Sequence, residues 1–537
     1  MEKKTSIALI AIIVALGGFL MGFDASVISG VNGFIVEEFD LTEIQLGWAV
    51  SSLTLVAAGA MLIAGPISNM FGRKKVLYIA AALYFISAIG SALAPTYDFL
   101  VYARMLGGVG VGASLIIAPM YIAEIAPADR RGFFVSFNQL NIVIGISVAF
   151  FTNLLINNLS KSDTSWAMSL GFKQYTWRWM LGLEALPAFL YFISLYLVPR
   201  SPRWLAMKGE FDAANKVLKR IYGSNKANNV LTEIKENLNS DKNRDRASFG
   251  DLFKKALLGV LIIGLVIGIL QQITGINAVF FYAPMIFEQS GIGRDSALTQ
   301  AVLVGLVNLA FTVVALFTID RIGRKPLLII GVGGIVVSML LLSYSFGEAT
   351  YKLTNESLTE LIETAEKERL QEEELSDESI EKFDYSRLTP ILDIQYQSDV
   401  EFKTALKGVM SNTELRANES QIIAVAGDLN SGLILFSILF FIASFAVSVG
   451  PVMWVLFSEL FPNRIRGLAI STVGFVNSMV SFSIQFVFPW ELQNLGASIT
   501  FMIFGLIALL GLVFIFMKVP ETKGKSLEEL EAQLVKS

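Results

Sequence analysis

Long apolar segments recur twelve times along this 537-residue chain, and they limit its fold more than any other feature. Each is close to the ~20 residues that an α-helix needs to cross a ~30 Å hydrocarbon core. Strands of a membrane barrel would alternate apolar and polar residues, and these segments do not. Charged residues make up only 16% of the chain, whereas soluble domains average about 25%. The pattern predicts an all-α membrane protein with twelve transmembrane helices.

The first apolar run is interpreted as a span, because it continues beyond a signal-peptide core and lacks a small-residue cleavage site. An even number of spans puts both termini on one side. Basic residues cluster in the loops of that side, so the positive-inside rule predicts a cytoplasmic membrane protein with both termini in the cytoplasm. These basic loops contain Arg73 to Lys75, Arg130 and Arg131, residues 200–255, Arg321 to Lys325, and Arg464 to Arg466. We predict spans at residues 7–31, 46–69, 76–95, 98–122, 133–156, 179–198, 256–287, 298–319, 326–347, 430–458, 467–489 and 496–517.

Two long segments lack spanning character. The first is charged and is predicted to be a cytoplasmic linker with short helices. The second is acid-rich, falls outside the membrane by span parity, and is interpreted as a spacer or small cap, with helix predicted between Ser357 and Leu375. The predicted divisions are a six-helix bundle at 1–199, the linker at 200–255, a second bundle at 256–519 containing the insert at 348–428, and a cytoplasmic tail at 520–537.

The loops of the two halves repeat the same motifs in the same order. Gly72-Arg73-Lys74-Lys75 is echoed by Gly323-Arg324-Lys325, and Asn69 and Asp320 each stand three residues before the glycine. Glu124 precedes Arg131 by seven residues, as Glu459 precedes Arg466. The repeat predicts two pseudo-symmetric six-helix bundles with a binding site between them near the bilayer midplane.

The charged residues of these motifs are expected at neighbouring helix ends, where partial desolvation strengthens ion pairs. We predict that they form a latch that holds the halves together on the cytoplasmic side. The alternative is that the cations only anchor the topology. The predicted latch consists of Arg73, Glu124, Arg131, Asp320, Arg324, Glu459 and Arg466.

Asp24 lies within the apolar first span, where a charge costs roughly 2.5–3.5 kcal/mol on insertion scales. The first span runs outward and the fourth inward, so Arg104 reaches a similar depth and can pair with it. A paired carboxylate stays ionised, whereas one left alone in a dry site takes up a proton. We therefore predict that Asp24 and Arg104 couple proton movement to conformation. The alternative is a structural pair without proton movement.

Neutral amides flank Gly275 in the seventh span. Sugar hydroxyls donate and accept hydrogen bonds at once, which amides can match. Glycine permits local unwinding that turns side chains toward one cavity. Gln271, Gln272 and Asn277 are therefore predicted to bind substrate. The alternative is hydrogen bonding between helices, which amides also make in membranes.

Several motifs together resemble the sugar porter family of the major facilitator superfamily, over nearly the whole chain apart from the insert. The resemblance implies that family's fold and alternating-access transport of hexoses, pentoses or polyols, by facilitated diffusion or proton-coupled uptake. The motifs are GGFLMGFDASVISG (17–30), GPISNMFGRKK (65–75), RMLGGVGVG (104–112), PMYIAEIAPADRRG (119–132), QQITGINAVFFYAP (271–284), DRIGRKP (320–326), GPVMWVLFSELFPNRIRG (450–467) and PETKG (520–524).

The resemblance also implies site residues. An aspartate at position 24 resembles the bacterial proton-coupled, xylose-type symporters, while facilitative glucose transporters carry asparagine there. Phe281 replaces a tyrosine of the xylose symporters, and Tyr282, which follows it, is expected to bind substrate. Arg200 stands where the family usually has glutamate. Gln139, Asn308, Trp454 and Asn477 match sugar-contacting positions of the family.

We therefore expect a monomeric, proton-coupled monosaccharide symporter in the lipid bilayer. A uniporter of the same fold is the first alternative, and a non-transporting sugar sensor is the second. A net charge of −4 gives no argument for nucleic-acid binding. Without cysteine or histidine, a proton relay must use carboxylates, lysine, tyrosine or water. No phosphate loop, metal cluster or nucleophile–base set is recognisable, so neither an enzyme activity, a cofactor nor a metal is expected.

Overall fold

The structure is a computed structural model that describes residues 6–127, 130–242, 248–373, 383–462, 465–525 and 529. Its described residues contain twelve helical segments long and apolar enough to cross a bilayer, which confirms the predicted number in a multi-pass membrane protein. We number them spans 1 to 12, namely Ile7–Phe39, Glu43–Phe71, Arg73–Ala92, Tyr97–Ile125, Arg131–Ser160, Thr176–Leu197, Leu257–Glu288, Arg294–Ile322, Arg324–Gly347, Ser431–Leu460, Arg466–Asn494 and Gly496–Lys518.

Most spans extend beyond the predicted apolar runs, because polar residues continue a helix until a cap ends it. Span 1 ends at Phe39, eight residues past the predicted end, where Asp40 adopts a left-handed backbone conformation (φ 47°). Span 2 begins after Thr42, whose hydroxyl accepts from the backbone N–H of Gln45 while the Gln45 side chain accepts from Thr42 N–H. This capping box fixes the turn between the two spans.

Spans 6, 7 and 10 are each interrupted within their length. Span 7 consists of Lys255–Ile273 and Ile276–Glu288, separated at Gly275 with φ +90°. A Cβ there would lie 2.7 Å from the ring of Phe504, so both the conformation and the space require glycine. Span 6 comprises helices Thr176–Gly182 and Ala185–Ser194 and a 3-10 turn at Leu195–Leu197, and span 10 comprises Ser431–Val447 and Val449–Leu460.

Spans 1–6 and 7–12 form the two halves. They meet where span 2 packs on span 11, span 5 on span 8, and span 1 on the second helix of span 7. A Cβ on Gly47 of span 2 would lie 2.1 Å from the carbonyl oxygen of Phe486 in span 11, so the two backbones touch there. We call the side where span 1 begins and span 12 ends the terminal side, and the opposite side the insert side.

The linker on the terminal side contains the predicted short helices. They are Pro202–Met207, Phe211–Tyr222 and Ser224–Lys242, followed by a 3-10 helix at Phe249–Phe253. Arg464, one of the cations used to orient the chain, and the predicted tail beyond residue 525, apart from residue 529, lie outside the described residues.

We call residues 348–428 the insert, and its described residues form a small subdomain with its own apolar core, including Tyr351, Phe402 and Ile422. Its three short strands β1 (Thr350–Lys352), β2 (Gln395–Tyr396) and β3 (Gly427–Asp428) pair antiparallel in the order β2-β1-β3. The helix predicted from Ser357 to Leu375 is observed at Asn355–Glu373, and residues 374–375 are not among those described. A 3-10 helix, Tyr385–Ile391, and helices Asp399–Lys407 and Asn412–Ala426 complete the insert.

Candidate functional site

A buried ion pair joins spans 1 and 4. Arg104 Nη1 donates to Asp24 Oδ1 at 3.1 Å, and Arg104 Nε donates to the carbonyl oxygen of Ala49 in span 2, also at 3.1 Å. Arg104 is 1% exposed and Asp24 is buried with it. The predicted pairing of Asp24 with Arg104, which rests on their similar depth in the membrane, is therefore observed.

A second buried carboxyl stands beside this pair, and the sequence analysis missed it. Glu184 lies between the two helices of span 6, is 4% exposed, and has no hydrogen-bond partner at Oε1. Its charge interacts with those of Asp24 and Arg104. The signal was present, since Glu184 falls within the predicted sixth span and the cost of an acid in a membrane applies to it as it does to Asp24.

The three groups hold one positive charge against two acids. With both carboxyls ionised, the site would bury a net negative charge, which is costly in a low-dielectric environment. One proton removes that charge. The guanidinium also has an unpartnered donor, Arg104 Nη2, available to a rearranged carboxylate. This arrangement can take up and release a single proton when the pairing changes.

The predicted amides of spans 7 and 11 form one hydrogen-bonded cluster. Gln272 Nε2 donates to Asn477 Oδ1 at 3.1 Å, and Asn477 Nδ2 donates to Gln271 Oε1 at 2.9 Å. Asn277 Nδ2 donates to Gln272 Oε1 at 2.8 Å, across the break at Gly275. The interruption of span 7 thus lets residues on its two helices reach the same point.

The cluster extends further than predicted along span 11. Asn277 Nδ2 donates to Ser481 Oγ at 2.5 Å, and Gln485 Nε2 donates to the same oxygen at 2.8 Å. Gln485 Oε1 accepts from Thr54 Oγ1 of span 2 at 2.9 Å, so the chain of bonds crosses into the first half. The signal was a polar residue at every fourth position, 477, 481 and 485, which places all three on one helix face.

The other predicted substrate residues stand apart from this cluster. The Tyr282 hydroxyl is buried and donates to the carbonyl oxygen of Gln485 at 2.8 Å, so it is already engaged. Trp454, 38% exposed, presents its ring on the second helix of span 10, opposite Gly474. Asn308 is buried and Gln139 half-buried. No hydrogen bond joins either of them to the cluster within the described residues.

The repeated motifs of the first half make one compact cluster on the terminal side. Arg73 Nη2 lies 2.9 Å from Glu124 Oε1, and Arg73 Nη1 donates to Asn69 Oδ1 at 2.8 Å. Ser201, after span 6, donates to Glu124. The cluster ties together the ends of spans 2, 3, 4 and 6.

The second half repeats this cluster residue for residue. Arg324 pairs with Glu459 at 2.7 Å and with Asp320 at 3.0 Å, and Thr522 donates to Glu459 at 2.6 Å. Glu521 adds a feature absent from the first half, because its carboxylate accepts from the backbone N–H groups of Arg324 and Lys325.

Each of these clusters lies within one half, because the motif loops connect helices of the same bundle. Arg131 is exposed at the start of span 5, and Arg466 Nε donates to the carbonyl oxygen of Phe461. A latch between the halves through these residues therefore stays a prediction for another state of the molecule.

Comparison with known proteins agrees with this geometry. The profile of the family described as "Sugar (and other) transporter" matches residues 10–362 and 415–534. The chain is 34% identical to the D-xylose-proton symporter of Escherichia coli (strain K12), covering 97% of this chain and 94% of that protein. It is 32% identical to the arabinose-proton symporter of Bacillus subtilis (strain 168), over 99% and 95% of the two chains.

A solved structure is similar over the same extent. The xylose transporter of Escherichia coli, in a partially occluded inward open conformation, superposes with a TM-score of 0.71 at 30% identity, covering 97% of this chain and 99% of that one. The resemblance therefore includes the arrangement of both halves as well as the sequence motifs.

Proposed function

Since the chain belongs to the sugar porter family of the major facilitator superfamily, we propose that it is a proton-coupled symporter that imports a monosaccharide by alternating access. The observation that carries the proton coupling is the buried pair of Asp24 and Arg104. The names of the relatives, which are symporters of D-xylose and of arabinose, favour a pentose as the substrate.

Proton coupling is assigned to the Asp24, Arg104 and Glu184 group. A proton that arrives at Asp24 cancels its attraction to Arg104, which is then free to turn toward Glu184. Because Arg104 also holds the backbone of span 2 at Ala49, a shift of its guanidinium moves the contact between spans 2 and 4. Protonation and helix packing are coupled in this way without any covalent step.

Sugar binding is assigned to the amide cluster together with the ring of Trp454. The amides bond to one another, and a sugar replaces those bonds with bonds to its hydroxyls. No buried polar group is then left without a partner, which keeps the cost of binding low. The aromatic face of Trp454 suits the C–H side of a sugar ring. Gln139 and Asn308 of spans 5 and 8 complete the proposed site.

The orientation of the protein in the membrane and its oligomeric state are also proposals. Basic loops on the terminal side support a cytoplasmic location for it, which places the insert outside the cell or in the periplasm, and the protein in the cytoplasmic membrane. We propose that one chain holds a complete transport path and acts as a monomer. Transport leaves the sugar chemically unchanged, so sugar recovered from vesicles should match the sugar supplied.

Uptake into proteoliposomes tests this function. The purified chain would be assayed with labelled pentoses, hexoses and inositol, with and without an inward proton gradient. We expect at least one pentose or hexose to accumulate above the outside concentration, and only when the gradient is present. Equal uptake with and without the gradient, stopping at equilibrium, would identify a uniporter and reject the coupling.

A further inference from the structure

The insert is attached to the second half through a buried lysine. Lys403 of helix Asp399–Lys407 is 2% exposed, and its Nζ lies 2.8 Å from Glu419 Oε1 in the neighbouring insert helix. The same Nζ donates to Gln289 Oε1, just after span 7, at 2.9 Å. Burial alone would raise the pKa of the Glu419 carboxyl, but the charge and hydrogen bonds of Lys403 and Gln289 lower it. This contact is therefore charged and hydrogen-bonded, with the lysine ammonium buried.

A second contact fixes the insert to span 12. Asp399 Oδ2 accepts from the backbone N–H of Ala497 at 3.3 Å, at the first turn of that span. An acid at a helix N-terminus is favoured by the helix dipole. The insert is also continuous with spans 9 and 10. The insert is therefore joined to the second half at spans 7, 9, 10 and 12, and it has to move with that half.

The contact with the first half is of a different kind. Arg416 Nη1 lies 3.1 Å from Asp40 Oδ1, and its Nε lies 3.9 Å from Glu43 Oε1, at the turn between spans 1 and 2. The Thr413 hydroxyl donates to Asp40 Oδ1 at 3.1 Å. The side chain of Asp40 is 58% exposed. Ion pairs so open to water form and break easily.

The space beneath this contact is incompletely filled. A cavity of about 120 Å³ lies between the insert and the two halves, lined by Arg416 and Glu419 of the insert, by Glu37 of span 1, and by Met285 and Arg294 of spans 7 and 8. Its volume is enough for several water molecules. A polar cavity next to exposed ion pairs is suited to opening, whereas the Lys403 contact, with its ammonium buried among several partners, is not.

We propose that the insert acts as a bolt, meaning that it moves with the second half and binds the first half through Arg416 when the insert side is closed. The bolt stabilises the state in which the insert side is shut, and it must release Asp40 and Glu43 before that side can open. The family profile leaves residues 363–414 of the insert unmatched, which include Asp399 and Lys403, whereas Arg416 lies in the matched part. The inference rests on the proposed alternating-access function.

Access to the cavity tests the proposal. The chain has no cysteine, so Met285→Cys supplies a single thiol in the cavity wall, and its rate of modification by a membrane-impermeant maleimide reports opening of the insert side. In this background we expect Arg416→Gln to raise the rate about 3–10-fold. Asp40→Asn, which suits the left-handed backbone there, should raise it similarly. The matched control is Arg387→Gln, because Arg387 pairs with Glu414 inside the insert and should leave the rate unchanged.

A reversible cross-link supplies the converse experiment. Glu43→Cys with Arg416→Cys would be assayed for counterflow before and after treatment with a bifunctional methanethiosulfonate, and again after reduction. We expect transport to be lost on cross-linking and to recover with reductant. Unchanged maleimide rates in Arg416→Gln, an equal rise in Arg387→Gln, or full transport by the cross-linked protein would overturn the bolt. Absence of any sugar transport by the unmodified chain would instead reject the proposed function.

Discussion

The two halves are nearly identical where they meet the terminal side and different where they meet each other. Arg73, Glu124 and Ser201 in the first half correspond to Arg324, Glu459 and Thr522 in the second, with the same partners at similar distances. Near the membrane centre this correspondence ends. The first half buries charges there, and the second buries neutral amides.

Under the proposed function, this difference separates two tasks that one set of side chains would perform poorly. A proton carrier needs an acid whose charge depends on its partner, and such an acid must be kept dry. A sugar site needs groups that donate and accept without charge. Placing Asp24 in one half and the Gln271, Gln272 and Asn477 cluster in the other lets each environment be suited to its task. The shared terminal clusters keep both halves rigid.

The largest effect is expected when the charge of Asp24 is removed from the first half. One pH unit stores about 1.4 kcal/mol, enough for about tenfold accumulation at one proton per sugar. In Asp24→Asn we expect the accumulation ratio to fall to one while sugar counterflow continues, because the amide cluster is intact. Asp98→Asn, an exposed acid in the first turn of span 4, is the control and should accumulate normally. Continued accumulation by Asp24→Asn would refute the assignment.

Removing an amide from the second half should have the opposite signature. Gln272→Ala deletes the group that bonds both Asn477 and Asn277. We expect sugar affinity to fall about 10–100-fold, since buried polar groups lose their partners. The number of protons moved per sugar should not change. Calorimetric binding and paired proton and sugar fluxes measure the two quantities, and a changed ratio would show that the tasks are not separate.

The ion pairs of the two terminal clusters differ in burial, so the contribution of burial to stability can be compared between them. The Glu124 side chain is 7% exposed and that of Glu459 is 23% exposed. Breaking a buried pair by removing one partner costs about 3–5 kcal/mol, so Arg73→Gln should approach that loss of unfolding free energy and Arg324→Gln should lose less. Thermal unfolding in detergent gives the order. A larger loss in Arg324→Gln would contradict the role of burial.

The smallest effect concerns a residue by which the two clusters differ in charge, Glu521 in the second half and Arg200 in the first. Glu521 accepts backbone N–H groups at the start of span 9, whereas Arg200 occupies its place in the first half. Arg200→Glu should supply the missing acceptor at the start of span 3 and stabilise the first half by about 0.3–1 kcal/mol. Arg200→Gln separates this gain from the loss of a cation. If both variants unfold at the same temperature, the two clusters are not equivalent at this position.

Much of the fold follows from the sequence because the bilayer allows few solutions. A span must be long, apolar and helical, so twelve runs predict twelve spans, and repeated loops predict two matched halves. Asp24 and Arg104 were predictable for the same reason, since an intramembrane charge requires a partner at its own depth.

The rest depends on contacts that no local pattern specifies. Glu184 lies within the predicted sixth span, so an acid was visible there, but the break between two short helices that positions it near Asp24 and Arg104 was not predictable from the span. Thr54 and Ser481 are small polar residues that are common in apolar helices, and only the packing of span 2 on span 11 gives them a role. The acid-rich sequence of the insert is typical of a spacer or small cap, and it predicts neither the buried core nor the position of Lys403.

The break at Gly275 divides span 7 into two shorter helices, which can change their orientation separately. The helix that follows the break carries Asn277 near its start and ends beside Gln289, the partner of Lys403. Between these ends, the carbonyl oxygen of Phe281 accepts a hydrogen bond from Asn32 of span 1. This helix, bent at Tyr282, therefore links the amide cluster at Asn277 to the insert contact at Gln289.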